Sequence, residues 1–249
     1  MLKQVTSSGM WELTAWQTGR IQAGLLDRRA NSPLDILQTY MAAGTLFIGA
    51  GQVHGSSLAM VSGSVGSKRV IPPSVAVALH VWRTQSAEEI PGCDALLTDV
   101  PGIALFIRTA DCLPVFLADP LRKIVGLIHA GWRGLNAQLP GRVVAAFRHC
   151  YQSPTSALRV IIGPAIRSCC YEVGVGFPKI FEPFIHQQNG RRMCDLIGAV
   201  KDQLQRSGVR PEHLFDTGQC TSCETQQWYS VRREGLSTGR ILSFIMVKP

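Results

Sequence analysis

Cys112 and His129 stand on the two sides of a short turn sequence, where a β-hairpin would bring a thiol and an imidazole together. Cys112 precedes an apolar run at residues 114–118, and His129 ends a second apolar run at residues 124–129. Residues 119–122 separate the two runs and carry a proline at their second position, which is typical of a β-turn. The pattern therefore predicts an antiparallel hairpin with potential metal ligands at its open end.

The register of this hairpin decides whether the two side chains meet. If residues 119 and 122 close the turn, Cys112 lies directly opposite His129. Side chains in that position have Cβ atoms ~5 Å apart, which allows a thiolate and an imidazole to bind one metal ion. A bulge or a loop that is one residue longer would make the pairing diagonal.

A third ligand has to come from another segment. His54 is the best placed of the remaining histidines, because Gly55 lets the chain turn sharply beside it. Cysteine and histidine are good zinc ligands, and three protein ligands with one open position are typical of catalytic zinc. A water bound there would have a pKa of roughly 7. Spacing alone leaves equally open the alternative that the three residues are ordinary core or loop residues.

Five segments resemble one known family in their order and approximate spacing. They are Gln-Val-His-Gly at 52–55, Thr-Ala-Asp-Cys-Leu-Pro at 109–114, His-Ala-Gly-Trp-Arg-Gly at 129–134, Ile-Gly-Pro-Ala-Ile at 162–166 and Tyr-Ser-Val-Arg-Arg at 229–233. On these motifs the chain resembles the zinc-containing purine nucleoside phosphorylases (YfiH-like), formerly labelled multicopper polyphenol oxidase or laccase-domain proteins. The resemblance runs from about residue 50 to the C-terminus.

The resemblance implies a fold, a cofactor and an activity. The fold would be a single α/β domain over residues 1–249, with mixed β-sheet layers and flanking helices. The cofactor would be one zinc ion per chain on His54, Cys112 and His129. The activity would be phosphorolysis of adenosine, inosine, guanosine and methylthioadenosine, with phosphate as co-substrate and adenosine deamination as a side activity. The N-terminal region departs from the family, since either Arg28 or Arg29 could match its early arginine.

Phosphorolysis requires positive charge to bind phosphate beside the ribose. Arg133 is the first candidate, because Gly131 and Gly134 allow close backbone approach and a helix is expected to begin soon after. The alternative is a surface arginine on a loop. Arg233 and Arg240 are weaker candidates for substrate binding, since an arginine in a C-terminal strand more often faces solvent.

Asp111 and Gln52 complete the candidate site. Asp111 adjoins Cys112 and could orient a ligand or act as a catalytic acid or base, and a turn-capping role is an equal alternative. Gln52 could contact substrate, or it could be an ordinary polar loop residue. We therefore predict Asp111 and Arg133 as catalytic residues and Gln52, Arg233 and Arg240 as substrate-binding residues.

The remaining cysteines and histidines carry weaker signals. Cys220 and Cys223 have the Cys-x-x-Cys spacing of metal and redox sites, but no second such pair follows. Of the two, Cys220 is the stronger candidate to lie near the site, because the resembled family has Cys-Thr at this position. The other cysteines are expected to be buried thiols or family variation: Cys93, Cys150, Cys169, Cys170 and Cys194. The other histidines are expected to be exposed or to have hydrogen-bond partners within the fold: His80, His149, His186 and His213.

Strands and helices alternate along the chain, which predicts a mixed α/β fold. Strands are expected at residues 46–48, 58–61, 104–107, 114–118, 124–129, 159–162, 228–231 and 241–247. Helices are expected at residues 73–82, 142–151, 178–187 and 193–206, the third weakened by Pro183 and the last ended by Gly208. No repeat or linker marks a boundary, so one domain is expected.

The composition of the chain limits the classes of binding partner that can be expected. The formal net charge of +8 suits an anionic ligand, but the basic residues occur as separated pairs rather than as a long run, which argues against nucleic acid. No apolar run approaches the ~20 residues of a membrane span, and Met1–Met10 lacks the pattern of an export signal. We therefore expect a cytoplasmic protein with reduced thiols that binds small purine nucleosides and phosphate, and neither nucleic acid nor membrane.

Competing functions remain at this stage. A multicopper oxidase needs around ten histidines, largely as His-x-His pairs, and the chain has six histidines and no such pair. The His-x-Glu and Pro-Cys-x-x-Cys motifs of zinc nucleobase deaminases do not occur either. A cysteine hydrolase with Cys112 as nucleophile and His129 as base stays possible. A non-catalytic, zinc-stabilised module would need a fourth protein ligand.

Overall fold

The computed structural model describes residues 2–14, 19–61, 77–79 and 88–249, and the strands in these ranges form two seven-stranded sheets and a hairpin. From edge to edge, the first sheet consists of β1 (Leu2–Gln4), β2 (Met10–Leu13), β3 (Ile21–Leu26), β16 (Ile241–Val247), β9 (Ile103–Thr109), β4 (Leu46–Ala50) and β7 (Glu88–Ile90). The second consists of β15 (Leu214–Asp216), β12 (Arg159–Ile162), β10 (Leu113–Asp119), β11 (Ile124–Ala130), β8 (Ala95–Thr98), β5 (Leu58–Val61) and β6 (Val77–Leu79). The hairpin pairs β13 (Ile185–Gln188) with β14 (Arg191–Cys194).

Both large sheets mix parallel and antiparallel pairs. In the first sheet β4 runs parallel to β7 and to β9, whereas β16 is antiparallel to β3 and to β9. In the second sheet β10 is antiparallel to β11 and to β12, whereas β5 is parallel to β8. The helices are α1 (Pro33–Tyr40), α2 (Trp132–Asn136), α3 (Leu139–Tyr151), α4 (Leu196–Arg206) and α5 (Val231–Glu234). The prediction of a mixed α/β fold is confirmed.

The two sheets pack face to face, and helices cover their outer faces. Leu105 of β9 and Phe116 of β10 lie in the apolar layer between the sheets. Their neighbours in sequence point the other way: Phe106 packs under α1, and Leu117 packs against α3 and α4. Because these central strands are buried on both faces, their sequences are almost continuously apolar rather than alternating.

Seven of the eight predicted strands are confirmed, and the one expected at residues 228–231 is wrong. That segment is a loop leading into α5, where Ser230 Oγ accepts the backbone N–H of Arg233 at 3.3 Å and caps the helix. Aromatic and β-branched side chains there mimic a strand, but Trp228 is instead buried completely as a single large anchor. The assignment of residues 1–249 to one domain stays a prediction.

Two of the four predicted helices are confirmed. The helix expected at 142–151 is α3, which begins earlier and takes Pro140 into its first turn, and the one expected at 193–206 is α4, which begins at Leu196. The helix expected at 178–187 is wrong: residues 179–184 form a 3-10 turn that contains Pro183, and β13 follows. Most of the helix expected at 73–82, with His80, lies outside the described residues, and the described part, 77–79, is a strand.

Among the helices that the structure describes, none is long and apolar enough to cross a membrane.

Candidate metal centre

The hairpin predicted from the sequence is present, but its register differs from the expected one by two residues. Asp119 pairs with Ile124, and Pro114, not Cys112, lies opposite His129. The connecting loop is longer because the Asp119 carboxylate accepts the backbone N–H groups of Leu121 and Arg122 at 3.1 and 3.0 Å. A shift of two residues keeps each side chain on its face of the sheet, so Cys112 still reaches His129, diagonally rather than directly.

The loop that carries His54 is held by a buried carboxylate. Asp94, just before β8, is fully buried. Its Oδ1 accepts the backbone N–H of His54 at 2.9 Å, and its Oδ2 accepts that of Gly55 at 2.7 Å. His54 has a positive φ of 57°, a conformation that is uncommon for a residue with a side chain and is maintained here by these two hydrogen bonds.

The donor atoms of His54, Cys112 and His129 all lie within 4.8 Å of one another, and this group could hold a metal ion. The two imidazole rings meet edge to face with centroids 4.7 Å apart. His129 Nδ1 donates to Asp94 Oδ1 at 2.8 Å, which leaves Nε2 as the ligand atom. A carboxylate behind a ligating histidine is the usual outer support of a metal site, so the residues present fit a bound ion.

The backbone at Gly131 passes close to this group, and the absence of a side chain there leaves space for the donor atoms. A Cβ at position 131 would lie 3.1 Å from Cys112 Sγ and 3.5 Å from His54 Cδ2. Any larger residue would therefore crowd the Cys112 sulfur and come into contact with the His54 ring. The glycine of the His-Ala-Gly-Trp motif thus serves the geometry of the cluster.

The cluster also shifts the protonation of its members. Burial alone would raise the pKa of Cys112, but hydrogen bonds from His129 and His54 outweigh it and lower that pKa to about 7. Burial alone would lower the pKa of His129, but hydrogen bonds to Asp94 and Cys112 raise it to about 9. The metal-free pair is therefore a thiolate next to an imidazolium near neutral pH, and the thiolate is the form that binds metal.

A cavity of about 580 Å³ opens beside the cluster, a volume that suits a small organic ligand. His54, Cys112 and His129 all line it. Among the described residues of its wall, three are arginines, Arg108, Arg232 and Arg240, and one is an acid, Asp111. The wall therefore carries more cationic than acidic side chains next to the candidate metal ligands.

Three of the five polar residues predicted for the site line this cavity. Gln52 is one of them, but its amide is engaged with the backbone of Arg108, donating to O at 2.5 Å and accepting from N at 2.7 Å. Arg240 is another, and its guanidinium donates to the carbonyl oxygens of Thr238, Gly239 and Leu236. Both residues shape the wall, and their roles in substrate binding stay predictions.

Asp111 is the third, and both of its carboxylate oxygens have partners. Oδ1 accepts from Thr221 Oγ1 at 2.7 Å, and Oδ2 accepts the backbone N–H of Arg232 at 2.7 Å. Its φ of 89° turns the chain sharply between Thr109 and Cys112. Asp111 therefore connects the metal ligand Cys112 to the segment that carries Arg232, and a role in proton transfer stays a prediction.

Arg133 and Arg233 do not line the cavity. Arg133 is exposed on α2, and its guanidinium stacks on the Trp132 ring at 4.4 Å from the centroid. Arg233 donates to the carbonyl oxygens of Thr221 and Trp228 at 2.6 and 2.7 Å and fixes the loop before α5. Neither residue contacts the cavity directly, and their roles in catalysis and substrate binding stay predictions.

The two arginines considered for the N-terminal match, Arg28 and Arg29, do not line the cavity either. Arg28 forms an ion pair with Glu234 at 2.9 Å and lies over the Tyr229 ring. Arg29 is paired with the buried Asp27. Both side chains are used in contacts within the fold.

Sequence reasoning missed Asp94, Arg108, Tyr171 and Arg232. The available signal for Asp94 was a lone acid immediately before the apolar residues 95–97. Arg232 stands in the Tyr-Ser-Val-Arg-Arg motif, in which its neighbour Arg233 was the predicted substrate-binding residue. Tyr171 follows two cysteines, and burial raises its pKa well above the usual range, so its hydroxyl stays protonated.

Two cysteines that were expected to be buried or incidental belong to a second cluster. Cys169 is exposed and Cys170 is half-buried, and both lie next to Cys220 and Cys223. No second such pair follows Cys223 in the sequence, but Cys169 and Cys170, about 50 residues before Cys220, are brought next to the Cys-x-x-Cys motif by folding. Cys93 and Cys194 are buried thiols, as predicted.

Comparison with known proteins places these features in context. A family model described as multi-copper polyphenol oxidoreductase laccase matches residues 34–248. The chain is 36% identical over 168 residues to purine nucleoside phosphorylase YlmD of Geobacillus stearothermophilus, covering 64% of this chain and 61% of that protein. It is 32% identical to adenosine deaminase RL5 of an unknown prokaryotic organism, covering 69% of this chain and 68% of that protein. The matched segment thus spans less than two thirds of YlmD.

Similarity in three dimensions extends further than the sequence match. The crystal structure of YlmD from Geobacillus stearothermophilus superposes with a TM-score of 0.81 at 25% identity, covering 99% of this chain and 98% of that one. The YfiH structure from Bacillus licheniformis has the same fold, with a TM-score of 0.76. The expected fold class is therefore shared along nearly the whole chain.

Proposed function

This chain belongs to the family described as multi-copper polyphenol oxidoreductase laccase, and we propose that it is a purine nucleoside phosphorylase with zinc on His54, Cys112 and His129. The names of two relatives, purine nucleoside phosphorylase and adenosine deaminase, support an enzyme that acts on purine nucleosides. The group of one cysteine and two histidines could hold a metal ion, and its donor set favours zinc.

One observation carries the phosphorylase assignment: three arginine residues line the same cavity as the candidate metal ligands. Arg108, Arg232 and Arg240 face a space with a single acid in its described wall. Arginine donors match the oxygens of a phosphate in charge and in geometry. A nucleoside hydrolase would need no such anion site, whereas phosphorolysis needs phosphate next to the ribose.

Arg232 is the best fixed of the three. Its backbone N–H is bound by Asp111, its Nη1 donates to the carbonyl oxygen of Glu172 at 2.9 Å, and its guanidinium lies over the Tyr171 ring. Arg108 is partly neutralised by an ion pair with Glu89, and Arg240 is tied to nearby carbonyl oxygens. We therefore assign Arg232 the main role in binding phosphate.

The reaction transfers a glycosyl group. A phosphate oxygen forms a bond to C1′ of the ribose, the bond from C1′ to N9 of the purine breaks, and its electron pair leaves on the base, which takes up a proton. A bound zinc ion would supply a Lewis-acid charge beside the reacting groups. The arginines hold the attacking phosphate, and the cavity shields it from bulk water.

The purine is expected to lie against the apolar and aromatic part of the wall. Tyr171, Ile166 and Val231 supply that surface, and the protonated Tyr171 hydroxyl supplies a hydrogen-bond donor. The charged group next to this surface, Arg232 over the Tyr171 ring, is the one assigned to phosphate, and the three side chains themselves carry no charge that would select one purine substituent. We therefore propose adenosine, inosine, guanosine and methylthioadenosine as substrates, with phosphate as co-substrate.

Adenosine deamination is proposed as a side activity. The relative named adenosine deaminase supports it, and a metal ligand group beside a purine-sized cavity is compatible with attack of water on the base. Ammonia release from adenosine in the absence of phosphate would measure it separately from phosphorolysis.

Competing functions account less well for the site. A cysteine hydrolase would use the ion pair of Cys112 and His129, but it gives no role to His54 or to the three cavity arginines. A closed structural zinc site needs four protein ligands, and within the described residues this group contains three. An oxidase with three types of copper site is disfavoured by the count of six histidines in the chain.

The test combines metal content with product analysis. Purified protein is expected to hold zinc at this site and to release free base from adenosine or inosine only when phosphate is present, with ribose 1-phosphate as the second product. Cys112→Ala is expected to lose both the zinc of this site and the activity. Equal base release with and without phosphate, or full activity in metal-free protein, would contradict the proposal.

A further inference from the structure

Four cysteine thiols converge at a point outside the cavity. Cys169 Sγ lies 3.6 Å from Cys170 Sγ and 3.7 Å from the sulfurs of Cys220 and Cys223, and Cys170 Sγ lies 3.4 Å from Cys223 Sγ. All four sulfurs are within 4.8 Å of one another. We call these residues the four-cysteine cluster.

Four of the six sulfur–sulfur distances lie close to the edge length of a metal-centred tetrahedron. Zinc–sulfur bonds of ~2.3 Å place the sulfurs of a tetrahedral site ~3.8 Å apart. A disulfide would require ~2.05 Å, and the four thiols are free. Four thiols at this separation satisfy one another only through weak S–H hydrogen bonds, whereas a soft divalent cation would engage all four at once.

The surrounding chain builds this arrangement from two segments. An isolated β-bridge pairs Ala165 with Cys220, and Thr221 N–H donates to Ala165 O at 3.1 Å. The Cys-x-x-Cys turn is closed by the backbone N–H of Glu224, which donates to Cys220 O at 3.0 Å. The Glu224 carboxylate also accepts the backbone N–H of Cys220 at 3.0 Å, which fixes the start of this turn.

We propose that Cys169, Cys170, Cys220 and Cys223 bind a second metal ion, zinc, in a closed structural site. Four protein thiolates complete a tetrahedral sphere and leave no position for substrate, which separates this site from the one on His54, Cys112 and His129. Burial is graded across the cluster: Cys220 is buried, whereas Cys169 and Cys223 are exposed and give the ion a route in.

The ion would fix one wall of the cavity. It would join residues 169–170 to residues 220–223 and so close a loop of about 50 residues, which removes conformational freedom from the unfolded chain. Tyr171 follows directly on the first pair and lines the cavity. Thr221, inside the second pair, donates to Asp111, the neighbour of Cys112. The four-cysteine cluster thus positions substrate-facing residues without touching substrate.

Metal analysis of matched variants tests this proposal. Protein purified under reducing conditions is expected to hold about two zinc ions per chain, and the Cys220→Ser/Cys223→Ser variant and the Cys112→Ala variant about one each. Cys150→Ser, a cysteine outside both groups, is expected to keep both ions. The double variant is also expected to melt at a lower temperature than Cys150→Ser.

The outcomes separate this proposal from the proposed function. The parent protein could hold a single zinc ion that persists in Cys112→Ala and is lost in the double variant. That result would support the four-cysteine site and contradict the catalytic zinc. One zinc ion that is lost in Cys112→Ala and kept in the double variant would overturn the four-cysteine site.

A second measurement needs no variant of the cluster. The parent protein loaded with zinc is alkylated, digested and read by mass spectrometry, with and without a chelator. The four cysteines are expected to be protected together and to become reactive together when the chelator removes zinc. Full reactivity of exposed Cys169 and Cys223 in zinc-loaded protein, or their isolation as disulfides that take up no zinc after reduction, would overturn the proposal.

Discussion

Asp94 Oδ1 lies 2.8 Å from His129 Nδ1, and the same carboxylate accepts the backbone N–H groups of His54 and Gly55. One buried side chain thus orients two of the three candidate metal ligands. Burial opposes ionisation of Asp94, but hydrogen bonds from His129 and from those amides outweigh it and lower its pKa. The carboxylate is therefore ionised and serves as an acceptor to every one of these donors.

Asp94→Asn is expected to weaken zinc binding by about 10- to 100-fold, because an amide is a poorer acceptor for His129 and no longer opposes the charge of the ion. Zinc affinity is measured by competition with a chelator, and phosphate-dependent base release should fall in parallel at limiting zinc. Asp35→Asn, an exposed acid in α1, is the matched control. Equal zinc affinity in the two variants would remove Asp94 from the site.

The pKa of Cys112 predicts how its reactivity depends on pH. It is lowered from 9.0 to about 7, so the thiolate persists as the pH falls and is lost only below about 7. In metal-free protein, the alkylation rate of Cys112 should therefore rise through pH 7 rather than through pH 9. Zinc should suppress the reaction at every pH.

Cys93 is the internal control for this measurement, because burial raises its pKa to about 11. It should remain unmodified across the same pH range. His129→Gln should move the midpoint of Cys112 upwards, since the imidazolium is the main group that lowers it. A midpoint near pH 9 for Cys112 in the parent protein would show that the thiol and the imidazole are not coupled.

The sequence predicted that His54, Cys112 and His129 come together, but it did not predict their surroundings. The hairpin of β10 and β11 could be recognised because its strands are apolar on both faces, and a register error of two residues left Cys112 and His129 on the same face. Asp94 could not be found in this way, because its role depends on β8 lying beside β11. Local periodicity carries no information about which strands become neighbours.

The four-cysteine cluster was missed for the same reason. Cys170 and Cys220 are about 50 residues apart, and tertiary contacts bring their segments together, among them the bridge between Ala165 and Cys220 and the ion pair between Arg167 and Asp216. The strand wrongly predicted at residues 228–231 is a different case. The residue types there are typical of a strand, but Ser230 caps α5 and Trp228 is buried in the core, so no strand forms. Tertiary contacts decided both cases.

The KM for phosphate distinguishes Arg133, the candidate from the sequence, from Arg232, the candidate from the structure. Arg232→Gln is expected to raise the KM for phosphate by about 10- to 100-fold, the effect of losing a hydrogen bond to a charged group. Arg133→Gln is expected to change it by less than about threefold, because Arg133 stacks on Trp132 outside the cavity wall. Steady-state kinetics at saturating nucleoside measure both values, and the reverse ranking would restore Arg133 as the phosphate ligand.

Gly131→Ala tests the packing of the metal ligands without removing any of them. The backbone at Gly131 has φ −82° and ψ 169°, which alanine adopts freely, so the substitution acts through its Cβ. That Cβ would lie 3.1 Å from Cys112 Sγ, so the thiolate must shift by a few tenths of an ångström to accommodate it. We expect weaker zinc binding and lower activity with a preserved fold, measured by chelator competition and circular dichroism. Gly174→Ala, where a Cβ meets nothing within 4 Å, should match the parent protein in both, and equal zinc affinity in the two variants would mean that the ligands do not require this close approach.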